Sequence, residues 1–133
     1  WGVIETKKEL GNNKRLLFLE KELKKILKKY TPDYVVIEKL FFFKNLKTAI
    51  EVSQATGVIK LIITKKKIPI IEITPLQVKM AITGYGRAKK DQIQKTLKKF
   101  LKLKEIPKPD DAADALALAY CCSTLKLEEL NKC

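Results

Sequence analysis

The chain has 133 residues, of which 46% are hydrophobic and 32% are charged. This length predicts a single domain, residues 1–133, with a core of its own, and the composition excludes an intrinsically disordered chain. No apolar run approaches the roughly 20 residues that a membrane-spanning helix needs, and the first residues lack a signal-peptide pattern. We therefore expect a cytoplasmic protein that has no membrane partner.

The net charge and the absence of histidine restrict the class of partner and the possible catalytic groups. Lys and Arg number 28 and Asp and Glu 15, which gives a net charge of +13. Such an excess favours a polyanionic partner, because each neutralised phosphate releases counterions, although a lysine-rich proteome would have the same composition. Without histidine, His-based triads, general bases and metal sites are excluded, and carboxylates are left as the candidate catalytic groups. Cys121 and Cys122 lie in an apolar helical pattern and are interpreted as small buried hydrophobes.

Hydrophobic spacing predicts strands that alternate with helices. Helices are predicted over 16–30, capped by Asn12 or Asn13, over 45–64, over 75–81 after a Thr74 cap, around 93–101, and from about Asp110 onward. The apolar runs 34–37 and 70–73 are typical of strands buried on both faces. This order predicts an α/β fold with parallel strands in the middle.

Acidic residues are the candidate catalytic groups. Asp111 and Asp114 lie three apart near the start of the last helix and therefore share a face. Acids at a helix start are also ordinary complements of the helix dipole, which is the interpretation preferred for Asp110. Glu38 follows the first strand, where parallel sheets place ligands, or else it pairs with a neighbouring lysine. Carboxylates brought together from these two places would suit Mg²⁺, and two such ions can clamp a phosphodiester.

Aromatic and basic residues indicate nucleic acid. Phe41, Phe42 and Phe43 cannot all face one core, so at least one is expected to be exposed and free to stack on an unpaired base. Several basic residues in or next to loops are candidate phosphate contacts, although solvated lysines are the usual case. They are Lys44, Lys47, Lys79, Arg87, Lys89 and Lys90.

Five segments, in order along the chain, resemble the RuvC family of Holliday-junction resolvases. They are 37–45 (the family's I-E-x-x-F-x-x-K-N), 54–58 (Q-A-R-G-V), 74–79, 83–90 and 110–117 (D-A-A-D-A-L-A). The resemblance implies an RNase H-like mixed sheet flanked by helices. It also implies a homodimeric Mg²⁺-dependent endonuclease, with two ions per active site and Mn²⁺ able to substitute. Such an enzyme makes paired symmetric nicks in four-way DNA junctions during recombination and repair, with a branch-migration motor complex as a further partner.

The resemblance also implies roles for single residues. Glu38, Asp111 and Asp114 would be catalytic metal ligands, and Lys79 and Lys90 would lie beside the scissile phosphate and stabilise its developing charge. Phe41 would wedge into the junction. Further DNA contacts are expected from Lys44, Asn45, Arg87 and Lys89. The helix around Ala49 to Thr64 would form much of the dimer interface.

The sequence departs from the family pattern in two ways. Thr56 stands where the family usually has Arg. The family's first strand, which carries the aspartate of its G-I-D-P-G motif, has no counterpart, because residues 1–4 resemble the second strand. The third strand is also expected to be missing between Glu9 and Leu16. Either the sequence is part of a longer protein or the protein is truncated, and with three of four acidic ligands it could be inactive.

Two other functions therefore stay open. One is a catalytically silent module that binds junctions, and the other is a nuclease of the same fold that acts on RNA. The junction wedge at Phe41 and the dimer helix would have no obvious use in an RNA nuclease.

Overall fold

The computed structural model describes residues 1–7, 9–39 and 46–125, which contain five helices and two strands. In chain order the elements are α1 (Asn12–Tyr30), β1 (Val35–Glu38), α2 (Leu46–Lys65), β2 (Ile70–Ile73), α3 (Pro75–Thr83), α4 (Lys90–Phe100) and α5 (Asp110–Thr124). They fall into two compact units. The α1–α2 unit comprises the described residues of 4–35 and 46–70. The α3–α5 unit comprises residues 1–3, 36–39 and 71–125.

The two strands pair directly and run parallel. The Val35 N–H donates to the Pro69 carbonyl at 3.0 Å, and four residues later the Lys39 N–H donates to the Ile73 carbonyl at 2.8 Å. Both partners advance together along the chain, which is the parallel pattern. The predicted α/β class with parallel strands is thus confirmed.

The prediction that both strands are buried on both faces is wrong in degree. Ile73 is fully buried, whereas the rest of the two strands is half-buried or exposed. In the sheet that the described residues form, each strand has one neighbour, so each keeps an open edge. Residues 1–4 were expected to be a strand but have no regular secondary structure, because apolar side chains alone do not provide the backbone partners of a strand.

α1 begins at Asn12, four residues before its apolar pattern predicts. Its N-cap is Gly11, and no side chain caps it, so the prediction of an asparagine cap is wrong. The Asn12 amide donates instead to the Gln54 Oε1 atom of α2 at 2.5 Å. A helix can extend past its apolar stripe in this way when a polar side chain near its start finds a partner on a neighbouring helix.

α2 packs against α1. Along α2, Ala49 and Ile63 are buried, Ala55 and Ile59 are half-buried, and Val52 is exposed. Asn45, the first residue of the helix predicted over 45–64, lies outside the described residues. None of the described helices is long and apolar enough to cross a membrane.

The α3–α5 unit has a small apolar core. Ile82, Leu97 and Ala117 are buried together, one from each helix, and half-buried side chains of Val78, Ile93, Leu116 and Tyr120 surround them. Cys121 is buried as predicted, whereas Cys122 is only half-buried. This core fixes α3, α4 and α5 against one another, and their polar residues line the site described next.

Candidate nuclease site

A cleft of about 500 Å³ lies in the α3–α5 unit and collects most of the predicted site residues. Val78, Ile93 and Ala117 contribute apolar side chains to its lining. The charged residues that line it are Glu38, Lys79, Arg87, Lys89, Lys90 and Asp114. Two carboxylates are thus surrounded by four basic side chains that come from a helix, a loop and a helix start.

Glu38 reaches this cleft because it is the last residue of β1, at the carboxyl end of a parallel strand. Burial raises the pKa of the Glu38 carboxyl above its usual value. The nearby charge of Asp114 raises this pKa further, and the ammonium group of Lys90 opposes the rise. Two carboxylates are therefore close enough to repel each other in a partly desolvated place, which is where a cation stabilises both.

Asp114 lies one turn inside α5, on a helix whose buried face consists of small residues. Ala112, Ala113 and Ala117 are all buried, which lets α5 pack closely in the unit. The Asp114 Oδ2 atom accepts a hydrogen bond from the Lys90 Nζ at 2.9 Å. This bond raises the pKa of Lys90 above its usual value, so the lysine is fully charged where it meets the carboxylate.

Asp110 also turns toward α4, which the sequence reasoning missed. Its Oδ2 atom lies 3.4 Å from the Lys90 Nζ, and its Oδ1 atom accepts a hydrogen bond from Gln94 at 3.5 Å. Pro109 is the N-cap of α5 and no side-chain cap forms, while Asp110 lies in the first turn of the helix, where it complements the helix dipole as predicted. The sequence feature that indicates this position is the i,i+4 spacing of Asp110 and Asp114, which places both on one face of α5.

Asp111 is the predicted ligand that the structure does not bring to the cleft. It is exposed in the first turn of α5, and among the described residues it makes no hydrogen bond or ion pair. Over the same described ranges, no group of three His, Cys, Asp or Glu side chains is arranged to hold a metal ion. Glu38 and Asp114 thus line the cleft together, and Asp111 is not among the residues that line it.

The basic side of the cleft depends on the turns at both ends of α3. Thr74 accepts from the Gln77 N–H at 3.2 Å while the Gln77 side chain accepts from the Thr74 N–H at 2.8 Å, which starts α3 as predicted. α3 ends at Gly84, whose φ of 68° suits glycine. A Cβ at Gly86 would lie 2.6 Å from the Leu76 side chain, so this loop passes close to α3. The loop then delivers Arg87, Lys89 and Lys90 to the cleft.

Three predicted DNA-binding residues lie outside the described residues. They are Phe41, Lys44 and Asn45, which follow Glu38 in the sequence. Lys79, Arg87, Lys89 and Lys90 were predicted from their loop positions, and all four line the cleft with Glu38 and Asp114.

Comparisons with known proteins agree on one family. The family model "Crossover junction endodeoxyribonuclease RuvC" matches residues 1–122. A RuvC of Petrotoga mobilis is 56% identical over 121 residues, which are 91% of this chain and 74% of that protein. A RuvC of Caldicellulosiruptor saccharolyticus is 57% identical over 121 residues, with coverages of 91% and 73%. The structure of Thermus thermophilus RuvC in complex with a Holliday junction substrate is similar with a TM-score of 0.86 at 29% identity, covering 92% of this chain and 74% of that one.

Proposed function

This chain belongs to the RuvC family of crossover junction endodeoxyribonucleases, and we propose that it resolves four-way DNA junctions by paired symmetric nicks. The observation that carries the proposal is the cleft in which Glu38 and Asp114 lie among four basic side chains. Acidic groups can hold a metal ion that activates water for phosphodiester hydrolysis, and basic groups can hold the phosphate. The structural similarity to an RuvC bound to a Holliday junction supports the choice of substrate.

Members of this family are metal-dependent, and the donor chemistry of the cleft fits a hard divalent cation. Glu38 and Asp114 offer carboxylate oxygens, and burial together with the charge of Asp114 raises the pKa of Glu38, which a bound cation would oppose by favouring the charged carboxylate. We propose Mg²⁺, two ions per site, with Mn²⁺ as a substitute and Asp111 as a third ligand. When bound, such ions activate a water and neutralise charge on the phosphodiester.

The chain's own basic residues would act on the phosphate. Lys90 is fully charged and contacts Asp114, so it is placed beside the carboxylate that would face the scissile phosphate. Lys79 lines the same cleft from α3. We propose that both stabilise the charge that develops on the phosphodiester oxygens, and that Arg87 and Lys89 bind neighbouring phosphates. Phe41, Lys44 and Asn45 would act at the junction centre, a role supported by the resemblance of their segment to the family motif.

A homodimer would give the two active sites that paired nicks require. Ile50, Gly57 and Leu61 form a row along α2, because they are spaced by seven and four residues. Ile50 and Leu61 are exposed, and nothing lies within 4 Å of a Cβ added at Gly57. Two apolar side chains flanking a glycine allow another helix to approach closely, so we propose α2 as the dimer contact. We also propose a branch-migration motor as a partner, because such a motor moves the junction that the nuclease cuts. A cytoplasmic location follows if the junctions are those of recombining DNA in that compartment.

The test is a cleavage assay of the full chain with three substrates in Mg²⁺. They are a synthetic four-way junction, a linear duplex of the same sequence and a hairpin RNA. We expect the junction alone to be cut, into two nicked duplexes that ligase can reseal, because symmetric nicks leave abutting ends. Cleavage of the hairpin RNA in preference to the junction would replace the proposal with the RNA nuclease.

A silent junction-binding module is the alternative with an observation in its favour, since no cluster of three acidic ligands forms among the described residues. It predicts tight junction binding and no nicks at any concentration of Mg²⁺ or Mn²⁺. Binding measured in EDTA and cleavage measured in Mg²⁺, on the same preparation, separate the two.

A further inference from the structure

A second basic surface lies on the C-terminal half of α4, apart from the residues that line the cleft. Lys95, Lys98, Lys99 and Lys102 line a shallow depression of about 380 Å³ together with Leu103. We refer to these four lysines as the α4 patch. None of them is among the predicted site residues.

The α4 patch is poorly neutralised. The Lys95 Nζ atom lies 3.8 Å from the Asp91 Oδ2 atom, and within the described ranges this is the one ion pair that a lysine of the patch makes. Its members are spaced by three and four residues, which makes them neighbours on the helix surface, where like charges destabilise. The helix dipole accounts for Lys98 and Lys99 in the last turn. It does not account for Lys95, which lies further inside the helix.

The α4 patch lies on the same helix as Lys90 but on a different side of it, because at 3.6 residues per turn Lys98 is turned by about 80° and Lys99 by about 180° from Lys90. Lys90 is the first residue of α4 and contacts Asp114 in the cleft, whereas Lys98 and Lys99 lie two turns further along. At 1.5 Å per residue the distance along the axis is about 12–14 Å. At 3.4 Å per base pair, this corresponds to about four base pairs of duplex DNA.

We propose that Lys98, Lys99 and Lys102 bind phosphates of a duplex arm, about four base pairs from the phosphate held in the cleft. The inference rests on the proposed function and adds to it a contact with the arm rather than with the junction centre. The partner is a phosphate backbone and no base is read, because lysine ammonium groups on the surface of a helix can reach phosphates without entering a groove.

The test measures junction binding by the full chain in EDTA, from 50 to 200 mM salt. The variant carries Lys98→Gln, Lys99→Gln and Lys102→Gln. A matched control carries Lys14→Gln, Lys21→Gln and Lys28→Gln, which are exposed on α1 at intervals of seven and remove the same charge. Because the patch variant no longer neutralises three phosphates, its slope of log K against log salt is shallower by about 2.7. The fourfold rise in salt therefore weakens the parent about 40-fold more than the patch variant.

A second measurement locates the contact. Three consecutive phosphates of one arm are replaced by uncharged methylphosphonates, and this window is moved along the arm. A window about four base pairs from the cleavage site weakens binding by the parent and by the control, and has no further effect on the patch variant, since the two changes remove the same contact.

Two results would overturn the α4 patch as a DNA contact. One is an equal change of salt slope in both triple variants, which would make the effect one of net charge alone. The other is additivity of the methylphosphonate window with the patch substitutions. If the parent itself bound linear duplex as tightly as the junction and cut neither, the proposed function would fail before either variant was compared.

Discussion

The two units of the molecule differ in how many carboxylates a basic side chain meets between helices. In the α1–α2 unit, Arg15 of α1 lies 3.4 Å from one carboxylate of α2, that of Glu51, and the other ion pairs are local to α1. In the α3–α5 unit, Lys90 on α4 meets two carboxylates of α5, those of Asp110 and Asp114. Exposed single pairs add little stability. The carboxylates gathered around one lysine are therefore the feature that sets the α3–α5 unit apart.

The pKa values of two glutamates, one in each unit, are shifted in opposite directions. The hydrogen bond and charge of Lys24 lower the pKa of Glu20 from its usual value, with a small opposing effect of desolvation. Burial and the charge of Asp114 raise the pKa of Glu38. Glu20 is thus satisfied by its own helix, whereas Glu38 lies where a negative charge is unfavourable without a cation. The difference indicates that the cleft, and not the α1–α2 unit, is arranged for chemistry.

The largest effect is expected from Asp114→Asn. The substitution keeps the shape of the side chain and removes the charge that would hold the metal. We therefore expect the rate of junction cleavage to fall by about a thousandfold or more, which is a rise of about 4 kcal/mol in the activation free energy. Junction binding in EDTA should be retained. The measurement is single-turnover cleavage in Mg²⁺ beside a binding titration.

Glu22→Gln is the matched control, since Glu22 is also an acid in an ion pair with lysine, at 2.7 Å instead of 2.9 Å. It should cleave at the parent rate. Parent-like cleavage by Asp114→Asn would mean that the acids at the start of α5 serve the helix alone, and the contrast between the units would be lost.

A smaller effect, on assembly instead of cleavage chemistry, is expected from Ile50→Asp. Ile50 is 66% exposed on α2, so a charge there leaves the monomer fold intact and opposes the proposed helix–helix contact. We expect sedimentation equilibrium to give the mass of a dimer for the parent and of a monomer for the variant. Leu76→Asp is the control because Leu76 is 59% exposed on α3, in the other unit, and should leave the dimer unchanged. Dissociation by both variants, or by neither, would contradict α2 as the interface.

The helices and the positions of most site residues could be predicted because they depend on local signals. Thr74 and Gln77 form a capping box that is legible in the sequence, and Gly84 marks the end of the same helix. The apolar run of β1 placed Glu38 at a strand end. The family resemblance then assigned roles that spacing alone left open.

The features that the sequence did not predict depend on contacts between elements. The start of α1 depends on a hydrogen bond between Asn12 and Gln54, 42 residues away. The orientation of Asp110 depends on Lys90 and Gln94 of another helix. Asp111 and Asp114 share a helix face at i,i+3 spacing, yet only Asp114 reaches the cleft, because packing of the small residues of α5 fixes the rotation of that helix. Periodicity gives the face of a helix but not its rotation against a partner.

The smallest effect is a pair of opposite titrations, measured by carboxyl NMR on metal-free protein. We expect the midpoint of Glu20 below 4.5 and that of Glu38 above 4.5, in line with the causes given above. The contributions to stability have opposite signs. That of Glu20 is present above the unfolded pKa and is lost as pH falls through its lowered pKa. That of Glu38 is present below the unfolded pKa and is lost as pH rises through its raised pKa.

Two further titrations, one of Asp114→Asn and one in the presence of Mg²⁺, test whether Glu38 is a metal ligand. Asp114→Asn removes the second cause of the Glu38 shift, so the Glu38 midpoint should fall toward 4.5 while that of Glu20 stays in place. Mg²⁺ should lower the Glu38 midpoint further than sodium at equal ionic strength, because a bound cation favours the charged carboxylate, whereas screening acts on both glutamates. If Mg²⁺ moved the two midpoints equally, the ion would be acting through screening alone, and Glu38 would not be a ligand.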